Sequence, residues 1–151
     1  GITTYFKALD ALKRKQIHFQ VTFIGDGSYR DEAKRYGLVK AYHFNDVHHY
    51  SESLREADFV FASSYLSILE AIATKKLVFS VYDNPLKYDY LTITPFAKWI
   101  VVENSAQALV DKLLYFLRHQ KEGEELVEKA YQWARKQTWD KVVEIYLKLW
   151  S

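Results

Sequence analysis

The chain has no cysteine and no methionine, and only two prolines and five glycines among its 151 residues. Without cysteine there is no disulfide framework and no thiolate chemistry, which fits a reducing, cytoplasmic setting. No apolar run reaches transmembrane length, and no n-region and h-region pattern marks a secretory leader. A charge of one sign is lacking as well: 21 Lys and Arg against 19 Asp and Glu leave a net +2, with no block of like charge. The electrostatic footprint of a nucleic-acid or membrane-surface binder is therefore missing, and the expected partner is small. The missing methionine, at position 1 as elsewhere, suggests that Gly1 is a cut or processed end and the chain a fragment.

What is present is a 49% hydrophobic composition, enough for one domain around one core. The pattern alternates. Apolar residues at helical spacing run from Ile2 to Lys15, and the β-rich Phe19–Ile24 stops at Gly25-Asp26-Gly27. A short charged helix capped by Ser28 ends near Gly37. The strand Val39–Phe44 leads to a helix over Val47–Glu56 with Tyr50 and Leu54 inward. Then come the strand Phe59–Ala62, the helix Leu66–Thr74 and the strand Leu77–Val81. Asp83-Asn84-Pro85 opens a loop or short helix reaching Phe96, and Ile100–Val102 is a last strand. Helices to about His119, over Glu124–Lys136 and over Thr138–Trp150 close the chain. Strands and helices in alternation with short connections predict an α/β fold, a Rossmann-like doubly wound parallel sheet of about four or five strands.

The most informative stretch is Ala57-Asp58-Phe59-Val60-Phe61-Ala62-Ser63-Ser64 with Tyr65-Leu66-Ser67-Ile68-Leu69-Glu70-Ala71-Ile72-Ala73 behind it. It reads as a buried strand, a hydroxyl-rich turn and a helix with one carboxylate in its early turns. In an α/β sheet ligands bind beyond the carboxyl ends of the strands, where a helix start aims N–H groups at an anion. That suits a nucleotide diphosphate. Backbone and hydroxyls of Ser63, Ser64, Tyr65 and Ser67 are candidates for the phosphates, although one of these serines can equally be an ordinary N-cap. Glu70 is the candidate for the ribose hydroxyls, each hydrogen bond to its charge contributing roughly 1.5–3 kcal/mol; a solvated helix carboxylate is the plainer alternative. Gly25 and Gly27 form a G-x-G turn that either lines the site or simply turns the chain. His43, His48 and His49 lack the partner spacing of a metal site, so no metal is expected.

These pieces, in this order, resemble the C-terminal donor-binding domain of GT-B-fold glycosyltransferases, the group 1 or family 4-like enzymes. Val21-Thr22-Phe23-Ile24-Gly25-Asp26-Gly27 is similar to that family's strand ending in G-x-G. Residues 57–64 are similar to its "aDv.v.PS" strand, and Leu69-Glu70-Ala71-Ile72-Ala73 to its "lEAma" helix. Lys136-Gln137-Thr138-Trp139-Asp140-Lys141-Val142 resembles the "fsWe.v" start of its closing helix. The resemblance implies a single GT-B C-terminal-type domain over residues 1–151, with the N-terminal acceptor domain and the domain's own first strand absent from the chain. It implies a hexosyltransferase-like enzyme whose donor, a nucleotide-diphosphate sugar, is substrate rather than cofactor. A glycan or lipid acceptor would meet the missing domain, and the fragment alone would be inactive.

Departures from the family pattern are informative. The family's E-x(7)-E pair keeps only its second member, Glu70, because Ala62 stands eight residues earlier. The catalytic residues are therefore unassigned, as is the stereochemical outcome. The family's sugar-contacting glycine loop is replaced by Asp83-Asn84-Pro85-Leu86-Lys87, followed by Tyr88; of these residues Lys87 is the one that could neutralise a leaving diphosphate, a Pro-broken surface loop being the plainer alternative. In the family the stretch Phe44–His49 lies near the nucleobase. Trp133, Trp139, Tyr146 and Trp150 read as core or interdomain packing. Two other readings stay open: a non-catalytic α/β interaction domain, or half of a nucleotide-sugar epimerase. The oligomeric state is not legible.

Overall fold

The computed structural model describes residues 1–25, 27–40 and 47–150, and of residues 47–49 the backbone alone. Strands and helices alternate as expected. In chain order they are α1 (Ile2–Arg14), β1 (Thr22–Ile24), α2 (Arg30–Ala33), β2 (Leu38–Lys40), α3 (Val47–Glu56), β3 (Phe59–Phe61) and α4 (Tyr65–Ala73). There follow β4 (Leu77–Val81), α5 (Pro85–Thr92), a 3-10 turn (Ala97–Trp99), β5 (Val101–Glu103), α6 (Ala106–Arg118), α7 (Gln120–Ala134) and α8 (Trp139–Trp150).

The centre is β4, whose five residues Leu-Val-Phe-Ser-Val are all buried. A strand covered on both faces has no polar side to alternate with, which is why it reads as a continuous apolar run. Its side chains nevertheless divide by parity. Leu77, Phe79 and Val81 pack with Leu9 and Leu12 of α1 and Leu109, Val110 and Leu113 of α6. Val78 packs on the other side with Ile68 and Ile72 of α4, Ala130 of α7, and Leu91 and Phe96. The result is a helix–sheet–helix sandwich. Ser80, the one polar residue of the strand, is fully buried and donates its hydroxyl to the Ala62 carbonyl at 2.5 Å. That bond answers the cost of an unpaired polar group inside a core.

All described strand pairs are parallel, but they form two sheets rather than the single one expected: β1–β2, and β3–β4–β5. The inner edges of β1 and β3 have no strand of the described chain between them. Instead they flank a cavity of about 1550 Å³ lined by Phe19–Ile24 on one side and Asp58–Ala62 on the other. The β1–β2 unit meets α1 at Phe6, which stacks on Tyr36 at 5.1 Å and meets Phe23 at 5.8 Å.

Other boundaries shift modestly. β1 begins at Thr22 rather than Phe19, and α7 begins at Gln120 rather than Glu124. Residues 41–44 of the expected second strand lie outside the described residues. The segment after Asn84 is a helix, capped by the Asn84 side chain with Pro85 at its first position. Helix α8 forms where expected but buries no residue: Trp139 and Trp150 are 84% and 78% exposed. Trp133, by contrast, packs against Phe96 and Trp99. Among the described residues no helix is long and apolar enough to cross a membrane.

Candidate functional site

The site begins where β3 ends. The Ala62 amide bonds to Phe79 and its carbonyl to Ser80, so the chain leaves the sheet at Ser63 from a fixed point. Ser63 is then held from two helices. Its hydroxyl lies 2.8 Å from the Tyr5 hydroxyl of α1, and its carbonyl accepts from the Lys87 ammonium of α5. Burial pushes the Tyr5 phenol up to about 12, with the Ser63 hydrogen bond pulling it back in part.

Ser64 is extended and serves as the N-cap of α4, its Oγ accepting from the Ser67 amide at 3.3 Å and lying 2.7 Å from the Ser67 Oγ. The Tyr65 amide donates to the Tyr90 hydroxyl of α5 at 2.6 Å, while the Tyr65 ring rests on Phe96. The Lys87 ammonium also stands 4.3 Å from the centre of the Tyr90 ring. Helix α5 therefore staples the serine turn through Lys87 and Tyr90. Two of the first-turn amides expected to meet phosphate, those of Tyr65 and Ser67, are engaged within the protein.

Glu70 lies one turn beyond Ser67, exposed, and its Oε2 accepts from the Tyr50 hydroxyl of α3 at 2.6 Å. Burial first, then the hydrogen bond and charge of Glu70, push the Tyr50 phenol well above the usual tyrosine range. It remains a donor at any physiological pH.

Of the eight residues expected to hold the donor, Gly25, Gly27, Ser63, Ser64, Ser67 and Lys87 line the cavity between the sheets, together with Asp83 and Asn84 of the replaced loop and with Tyr5 and Tyr50. Tyr65 and Glu70 stand outside its lining, but Glu70 reaches it through Tyr50. At Gly25 the backbone has φ +138°, a conformation that favours glycine. Asp26 lies outside the described residues. A second cavity of about 530 Å³ adjoins the first at Asp83 and Asn84 and adds Tyr82, Tyr88 and Asn104.

His43, Phe44, Asn45 and Asp46 lie outside the described residues, as do the side chains of His48 and His49. Among the described residues no three His, Asp or Glu side chains gather as metal ligands. The sequence reading passed over Tyr5, Tyr50 and Tyr90 as site residues. Tyr5 and Tyr50 sit at apolar positions of their helices, and the available signal was the phenol itself: a tyrosine at such a position needs a partner for its hydroxyl.

The fold is similar to that in the crystal structure of TarM, with a TM-score of 0.68 at 19% identity. The superposition covers 95% of this chain and 31% of TarM, so the chain spans less than a third of that protein's length. No curated relative matches the chain at a significant level. The family model for glycosyl transferases group 1 matches residues 1–133, from α1 to within α7 and across every strand described above. The chain belongs to the glycosyl transferases group 1 family.

Proposed function

We propose that the chain is the donor-binding half of a glycosyltransferase, which passes a hexose from a UDP, GDP or related nucleotide to a hydroxyl of a glycan, lipid or other acceptor. One observation carries the reading: the serine turn, the glycine turn and Lys87 converge on a single cavity, with Glu70 tied to its wall by Tyr50. A crevice that combines hydroxyls, a glycine turn and the cationic side chains of Lys87 and Arg30 has the chemistry to hold a diphosphate. Lys87 would offset negative charge developing on the departing diphosphate, and Glu70 would accept hydrogen bonds from the ribose.

The reading includes two parts supplied by other polypeptide. One is a parallel strand seated between β1 and β3, supported by the facing unpaired edges and the cavity between them. The other is an acceptor domain that closes the crevice from outside. Alone, the chain binds donor without turning it over.

Calorimetry with UDP, GDP and ADP tests this. One of the three is expected to bind measurably. If none binds, the reading gives way to an α/β interaction domain, which the engaged amides of Tyr65 and Ser67 would favour.

A further inference from the structure

We infer that Tyr50 is the positioning residue of Glu70: from α3, it fixes the carboxylate of α4 in the one orientation that meets a bound nucleotide. The inference rests on the proposed role of Glu70 and adds a residue to it.

A glutamate on an exposed helix face is free to sample several rotamers, and a carboxylate that must meet a ligand in one of them binds more weakly for the others. In this fold the freedom is removed. The Tyr50 hydroxyl holds Oε2 at 2.6 Å, the length of a charge-assisted bond. Among the described residues Oε1 has no partner, so the atom left for a ligand is defined.

Tyr50 is itself braced. One turn further along α3, Leu54 is buried, and Ser53 accepts from the Lys40 ammonium of β2 at 2.9 Å. The Tyr50 ring lines the cavity between the sheets and is half-buried. The contact joins α3 to α4 across twenty residues of chain. If the hydroxyl had merely found the nearest acceptor, its loss would affect stability and leave recognition of the ribose untouched.

That difference is measurable with the nucleoside diphosphate selected above and its 2′,3′-dideoxy analogue, which lacks the hydroxyls Glu70 would hold. Tyr50→Phe keeps the ring and removes the donor. It is expected to weaken binding of the ribonucleotide by about threefold to tenfold and to leave the dideoxy analogue unchanged, the scale of one lost hydrogen bond. In a Glu70→Gln background the same change is expected to add nothing, as for two residues acting as one unit.

Equal losses for both nucleotides, or no loss for either, overturn the inference. If Glu70→Gln still weakens the ribonucleotide in that case, the proposed role of Glu70 stands without Tyr50. A Glu70→Gln variant that binds the ribonucleotide as the parent does overturns both. Circular dichroism on each variant separates loss of binding from loss of fold.

Discussion

Gly37 and Val21 approach so closely that a methyl group on the Gly37 Cα would stand 2.1 Å from the Val21 carbonyl oxygen. The same oxygen accepts the Leu38 amide at 2.9 Å, so it cannot retreat without loosening the start of the β1–β2 ladder. The glycine is required by this contact rather than by its own backbone angles. Gly37→Ala is expected to destabilise the chain by about 1–3 kcal/mol, the range for overpacking against a fixed neighbour. Urea unfolding checks it; an unchanged midpoint would show that the backbone yields.

Gly123 is the opposite case. It lies inside α7, buried, and an added Cβ would meet Phe116 at 3.5 Å and Leu77 at 3.7 Å, both ordinary contacts. Glycine within a helix costs roughly 0.5–1 kcal/mol relative to alanine. Gly123→Ala is expected to stabilise by about that amount and to raise the thermal midpoint by a few degrees. A lower midpoint would mean that Phe116 has no room to adjust.

Ser64 carries a structural and a binding role that separate under mutation. As the cap of α4 it satisfies the Ser67 amide. Ser64→Ala is expected to cost about 1 kcal/mol of stability, but only about threefold in nucleotide affinity, because it removes one hydroxyl from a crevice built mostly by others. Paired unfolding and binding titrations would give the two figures, and a tenfold loss of affinity would assign the hydroxyl directly to the ligand.

The Tyr5 phenol gives the fold a dependence on alkaline pH. Burial raises it from 10.0 to about 12, so between these values the folded chain keeps a proton that the unfolded chain has lost. The corresponding stability is fully present below pH 10 and disappears as pH rises toward 12, in total on the order of 2–3 kcal/mol. The urea midpoint is expected to fall across that window in the parent chain and less steeply in Tyr5→Phe. Identical slopes would remove Tyr5 as the cause.

Much of this architecture was legible in the residues. Leu77–Val81 reads as a strand and is one, and of the serines offered as a possible N-cap Ser64 is the one that caps α4, whereas α2 starts after Tyr29 with no side-chain cap from the expected Ser28. Helix α5 was harder to read, because its exposed Leu86 and buried Leu91 leave no apolar stripe to follow. The divided sheet was not legible, since strand propensity is local and says nothing about which edges meet. At the site, composition and order located the serine turn, but not its ties. Tyr5, Lys87 and Tyr90 reach it from elements distant in sequence, and no spacing rule links residue 5 to residue 63.

A sheet in two pieces also bears on cooperativity. The strands β3, β4 and β5 share a ladder and two layers of helix, whereas β1 and β2 join them without a ladder, through the partly buried Val21 and Phe23 packed at the margin of the core, the 3.1 Å bond from Tyr36 to Asp10, and the link from Lys40 to Ser53. Two such units need not open together: the smaller can separate at a fraction of the free energy that unfolds the larger. Amide exchange would then be graded across the molecule, fast over β1 and β2 and slow over β4, and a single unfolding free energy would describe only the larger part. Whatever fills the cavity between β1 and β3 would couple the halves, so occupancy there would be felt as a change from two transitions to one.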